Sequence, residues 1–273
     1  MDKEVEDSYI PVTSVTSKIG RDVGKGLYCL PIQIVNIVFV TTKTGFVLVD
    51  AGMPQSADVI VEAAKKHYGK HVKPEAILLT HGHFDHVGAL EELLEIWDVP
   101  VYAHDMEIPY LNGEADYPPP DPSVDGGLVT EMSVFFPHKG INISSHLQPL
   151  PADGSIPGMP EWKWVYTPGH TPGHVSFFRE TDRALIAGDA FVTVKQESLY
   201  KVITQKQEIS GPPKYFTVDW DLAFQSVKVL QQLNPQTAIT GHGIPMCGNE
   251  LQQELLRLVR DFDEIALPEK NTK

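Results

Sequence analysis

The chain has 273 residues, is 42% hydrophobic and 21% charged, and carries a formal charge of −14. That composition supports a sizeable core and excludes wholesale disorder, and 21 Gly and 22 Pro stay below the ~25–30% typical of low-complexity chains. The acidic balance argues against nucleic acid or an anionic membrane surface as a non-specific partner.

In chain order, residues 27–30 and 34–40 are rich in β-branched and aromatic residues and predict two strands. Thr44-Gly45 suggests a hairpin turn into a third strand at 46–49. Residues 55–68 place Val59, Ile60, Ala63, Ala64 and His67 at helical spacing, with Gly69 as the stop. A short strand at 76–79 precedes a helix at 87–97, whose Leu90, Leu93, Leu94 and Trp97 share a face. Strands follow at 162–166, 174–178 and 184–187, then a helix at 219–233, a strand at 237–240 and a last helix at 249–263. This alternation predicts a layered α/β or α+β domain. No composition break looks like a linker, so one domain over 1–273 is expected. Segments 112–140 and 193–217 are long and irregular, as lids or interfaces often are.

No apolar run reaches the ~18 residues that a transmembrane helix needs. The start, Met1-Asp2-Lys3-Glu4, lacks the basic and apolar stretches of a secretory signal. Cys29 and Cys247 match no zinc-type pair and suit a reducing cytoplasm.

The densest chemical signal is His81-Gly-His83-Phe-Asp85-His86. Borderline divalent metals favour imidazole nitrogen and carboxylate oxygen. In extended backbone, His81 and His83 face the same way and can bind one ion together. Asp85 and His86 sit where the chain turns into the next helix. Three further candidates also follow predicted strands: His170, Asp189 and His242. Glycines beside them permit tight turns. Loops on one edge of a sheet can converge on a single site. His67, His71, His104, His138 and His146 lack such spacing, while His174 reads equally as a core histidine or a support for the site. The four tryptophans read as core.

The ordered motifs resemble those of the metallo-β-lactamase fold superfamily, in its glyoxalase II and lactonase-like branches. They are Asp50 after a strand, the 81–86 cluster, His170, Asp189 and His242. The resemblance spans residues ~27–243 and implies a four-layer αβ/βα sandwich with a dinuclear centre on one edge. It implies that His81, His83 and His170 hold one Zn²⁺ and that Asp85, His86 and His242 hold a second. Asp189 then bridges the two ions. Iron or manganese are alternative metals. Asp85 is the expected catalytic residue, orienting a metal-bridging hydroxide. Asp50 is expected behind the ligands, orienting one of them.

The implied activity is hydrolysis of a small ester, lactone or thioester by a cytoplasmic enzyme. Its partner is a small molecule, with no nucleic acid or membrane. The oligomeric state is open, a homodimer being one option. His242 lies too near the end of the chain for the glutathione-binding domain of glyoxalase II. Acyl-homoserine lactonases carry a tyrosine soon after the bridging Asp, where this chain has Phe191 and Val192, so Tyr200 or Tyr215 would have to substitute. A mononuclear-iron oxidoreductase of the persulfide dioxygenase type and a non-catalytic metal-binding protein are the alternatives.

Overall fold

Both faces of the central strands are apolar, which forces each sheet to be covered on two sides. A computed structural model describes residues 12–124 and 127–268 and shows how this is done. The first sheet has the order β1 (Arg21–Gly24), β2 (Leu27–Ile32), β3 (Val35–Thr41), β4 (Phe46–Val49), β5 (Ile77–Leu78), β6 (Val101–Ala103) and β7 (Leu147–Pro149). Its first four strands pair antiparallel and the rest pair parallel. The parallel steps are bridged by α1 (Ala57–Tyr68) and by the pair α2 (Phe84–Val87) and α3 (Leu90–Trp97). Next come α4 (Ile108–Leu111) and α5 (Leu128–Met132).

The second sheet holds β8 (Trp162–Tyr166), β9 (Val175–Arg179), β10 (Ala184–Gly188), β11 (Thr237–Thr240) and β12 (Met246–Cys247), each beside the next. Between β10 and β11, which pair parallel, run α6 (Leu199–Thr204) and α7 (Trp220–Gln232). The chain closes with α8 (Gly248–Arg260) and α9 (Phe262–Ile265).

Side-chain alternation along the strands sorts the interior into layers. On β3, Ile37 and Phe39 pack with Ile60 of α1 and Leu93 of α3. Their neighbours Val38 and Val40 face the other way, toward Phe177 of β9 and Ile186 of β10. On β10, Leu185 and Ala187 meet Val227 of α7 and Leu255 of α8. Helix, sheet, sheet and helix thus form the four-layer sandwich that the sequence motifs imply.

Two expectations change. The segments at 112–140 and 193–217 are not wholly irregular, since they contain α5 and α6. They also meet in a separate apolar cluster of Val129, Phe136, Tyr215 and Phe216. In addition, β1, β6, β7 and β12 extend the sheets beyond the predicted strands. These are two- to four-residue strands whose pairing, rather than their own periodicity, defines them.

Phe177 is fully buried between the sheets. Phe177→Ala is expected to lower stability by about 3–5 kcal/mol, read as a drop in the urea midpoint.

Candidate metal centre

The site forms at one end of the two sheets, where strands stop and chains turn. Asp50 directly follows β4, and His81 and His83 follow β5 before the chain enters α2 with Asp85 and His86. From the second sheet come His170 after β8, Asp189 after β10 and His242 after β11. The turns are tight. Gly188 sits at φ +55°, and a Cβ there would lie 2.6 Å from His174 Nε2. A Cβ on Gly241 would lie 2.0 Å from Asp189 Oδ1.

All seven predicted ligand residues converge. His81, His83 and His170 form one group whose donor atoms lie within 4.8 Å of each other. His81, His86 and Asp189 form a second such group, and Asp85, His86 and His242 a third. Asp189 is central. Its Oδ2 lies 3.2 Å from His242 Nε2, 3.5 Å from His170 Nε2 and 3.6 Å from His86 Nε2. Asp85 Oδ2 lies 3.3 Å from His242 Nε2.

In His81, His86, His170 and His242 the other ring nitrogen is held from behind. Asp50 Oδ2 lies 2.9 Å from His86 Nδ1. The Thr80 backbone N–H donates to Asp50 Oδ1 at 2.8 Å, and its hydroxyl donates to Oδ2 at 2.9 Å. With its proton so used, the Thr80 hydroxyl accepts from His81 Nδ1 at 3.0 Å, which leaves His81 Nε2 as a free lone pair. His170 Nδ1 lies 3.2 Å from the Thr217 hydroxyl, and His242 Nδ1 donates to the Ile34 carbonyl at 2.9 Å. Such partners fix the tautomer and orientation of a ligating imidazole. Asp50 holds its own place at φ 60°, a left-handed backbone conformation rare outside glycine.

This donor set fits a divalent cation. His81 Nε2, His86 Nε2 and Asp189 Oδ1 are buried without any hydrogen-bond partner. Each such atom costs roughly 1–3 kcal/mol unless something satisfies it. His83 Nδ1 and His170 Nε2 face each other at 3.0 Å, two nitrogens directed at one point.

Charge is divided across the cluster. Burial, reinforced by neighbouring histidines, holds His81 and His170 well below the usual imidazole range and brings His83 down to about 3. Burial also opposes charge on His86 and His242. There the nearby carboxylates outweigh it: Asp189, Asp50 and Asp85 raise His86, and Asp189 and Asp85 raise His242 to about 10. Without a cation, His86 and His242 therefore carry protons that a metal must displace, and cation affinity rises with pH. Zinc titrations by calorimetry should show proton release and tighter binding at pH 8 than at pH 6.

Glu107, which the sequence did not single out, and His174, which it left between core and support, complete the site with Tyr117 and Phe216. Glu107 is fully buried, and its Oε1 accepts from the Thr171 hydroxyl at 2.7 Å and the Gly173 N–H at 2.8 Å. Its Oε2 accepts from the Gly82 N–H at 3.0 Å and from the Tyr117 hydroxyl. One carboxylate thus ties the loop of His81 and His83 to the loop of His170. Burial pushes it above the usual carboxylate range despite these donors. His174 supports Asp189: its Nε2 accepts from the Asp189 N–H at 2.9 Å, and its Nδ1 donates to the Thr167 carbonyl at 3.0 Å. Phe216 stacks on the His83 ring at 4.5 Å and Tyr117 meets it edge-on at 4.6 Å. Elsewhere, His67 packs on Tyr28, His104 stacks on Tyr166 and His146 pairs with Asp98. None of these three joins a donor group among the described residues.

Comparison with known proteins places this geometry. Residues 30–242 match the profile of the metallo-beta-lactamase superfamily. The chain belongs to that superfamily. It is 51% identical over 264 residues to the probable metallo-hydrolase YflN of Bacillus subtilis, covering 96% of this chain and all of that one. Among solved structures it is similar to TTHA1623 in a di-iron-bound form, with 27% identity, a TM-score of 0.54, and coverage of 78% of this chain and 89% of that one. It also shares its fold with BJP-1, a subclass B3 metallo-beta-lactamase of Bradyrhizobium japonicum. There the TM-score is 0.62 at 18% identity, over 93% of this chain and 94% of that one.

Glu107→Gln keeps the side-chain shape but weakens the tie between the two superfamily loops. It should lower metal affinity by about 10- to 100-fold, measured by competition with a chromogenic chelator, while circular dichroism stays unchanged.

Proposed function

We propose that this metallo-hydrolase uses two divalent cations, zinc in the first instance, to cleave a small ester, lactone or thioester. One observation carries the reading. The donors form three overlapping groups that share His81 and His86, with Asp189 lying between the histidines of both ends. A single iron held by two histidines and one carboxylate would use three of the seven converging donor residues and leave four without a cation, which favours two ions over the dioxygenase reading. Iron as the native pair remains the alternative that the di-iron relative supports.

When bound, the cations act as Lewis acids on a carbonyl oxygen and lower the pKa of water to about 7. His81, His83 and His170 would hold one, and Asp85, His86 and His242 the other, with Asp189 within reach of both groups. Asp85 has a second task. Its side chain is 12% exposed, against 3% for Asp189, so it is the carboxylate of the cluster that substrate and water can reach. It orients the attacking water and carries its proton toward the leaving group. Asp50 keeps the His86 ring in the orientation that ligation needs.

Of the two tyrosines considered as donors to substrate, Tyr200 is 70% exposed on the surface, whereas Tyr215 is buried and lines a cleft with Asp85. Burial, with Asp85, Glu197 and Asp189 nearby, pushes the Tyr215 phenol well above its usual value. It therefore keeps its proton and can donate to a carbonyl or leaving oxygen. No helix among the described residues is long and apolar enough to cross a membrane. Cys29 and Cys247 are unpaired, which supports a reducing, cytoplasmic setting.

Elemental analysis of the purified protein should find about two metals per chain, and chelation should abolish turnover of an ester, lactone and thioester panel. Asp85→Asn should retain about one metal and lose at least ~100-fold in kcat. Two retained metals with full activity would remove Asp85 from its role, and one iron with oxygen uptake would favour the oxidoreductase.

A further inference from the structure

The segment from Gly211 to Asp219, just before α7, runs alongside the donor cluster. Within it Phe216 stacks on His83 and Thr217 faces His170. The Thr217 hydroxyl donates to the Pro213 carbonyl at 2.8 Å. Its one proton is thereby used, so toward His170 Nδ1, 3.2 Å away, it accepts. His170 therefore keeps its proton on Nδ1 and turns Nε2 toward the cluster, where Asp189 Oδ2 lies at 3.5 Å.

The segment is held from outside at both ends. At its far end the Val218 and Asp219 N–H groups both donate to the Gly169 carbonyl at 3.0 Å. At its near end the hold runs through Lys214, whose side chain is buried. Its Nζ donates to the Leu267 carbonyl at 2.8 Å, and its backbone N–H donates to Glu197 Oε1 at 3.2 Å. A buried amino group without acceptors is costly, so Nζ ties Lys214 to the residues that follow α9. Gly211 lies against the same residues, since a Cβ on it would stand 2.4 Å from Ala266 Cβ. Pro213, which accepts from Thr217, sits between these two contacts.

We infer that Lys214 is a positioning residue for the metal centre. By clasping the Leu267 carbonyl it fixes Pro213, Pro213 orients the Thr217 hydroxyl, and Thr217 holds the His170 ring. This rests on the cluster being a cation site, as proposed above, and on no particular reaction there.

Two readouts test the chain of contacts. One is zinc affinity by competition with a chromogenic chelator. The other is exchange of the His170 Nδ1 proton with water, followed by nuclear magnetic resonance on protein with labelled histidine. Thr217→Val should weaken zinc binding about 10-fold and speed the exchange, and Thr217→Ser should restore both. Lys214→Met, which keeps the aliphatic stem, should weaken binding about 3- to 10-fold and speed the exchange while circular dichroism stays unchanged. Added to Thr217→Val it should cost nothing more, because both act through one hydrogen bond.

Losses that add in the double variant, or a Lys214→Met protein with parental affinity and exchange, overturn the inference. Parental behaviour of Thr217→Val overturns it too. If Lys214→Met does not fold, Lys214→Gln, which keeps a polar group but falls short of Leu267, takes its place with the same outcomes. A parent protein that binds no zinc removes the cation-site reading, and exchange in the cation-free protein then decides the clasp by itself.

Discussion

An imidazole that gives one nitrogen to a cation must have its other nitrogen held, or the ring turns away. That constraint organises the end of the molecule where the two sheets meet. Asp50 holds His86, Thr80 holds His81, Thr217 faces His170, and the backbone carbonyl of Ile34 fixes His242. The supports come from loops far apart in sequence, and only the sandwich brings them within reach. Asp50 even adopts a left-handed backbone conformation to serve both Thr80 and His86. Local strain at such a position persists only where surrounding contacts over-determine it.

The interior layers supply that rigidity. Because β3, β4 and β10 are apolar on both faces, each is packed from two sides. Strand ends held this firmly can carry loops whose lone pairs converge without closing on one another. The same burial sets the charge pattern. It strips protons from His81, His83 and His170, reinforced by neighbouring histidines, and yields to carboxylates at His86 and His242, where Asp189 and Asp85 approach.

Much of this was legible in the sequence because metal chemistry restricts both residue type and spacing. The 81–86 cluster, and the glycine-flanked His170, Asp189 and His242, carry their meaning locally. The longer helices were legible too, since eight or more residues display a period, and the central strands stood out as short runs of β-branched, aromatic and aliphatic residues. Glu107 was not. It acts on Gly82 and Gly173, 25 and 66 positions away, and nothing in its neighbourhood signals that. Short strands such as β6 and β7 escaped because three residues contain too little alternation to register. The helix at 128–132 escaped for a related reason: its turn is defined by packing of Val129 against the aromatic cluster. The aromatic cleft was invisible because Phe84, Phe136 and Phe216 belong to segments that only the fold assembles.

The origin of the donors has a mechanical consequence. In each of the three donor groups, two members come from the N-terminal half and one from the C-terminal half. Neither half alone can complete a group. An ion seated there acts as a rivet across the seam between the halves, and prising them apart means surrendering it. Cohesion of the sandwich and occupancy of the centre are thereby thermodynamically linked, so each reports on the other.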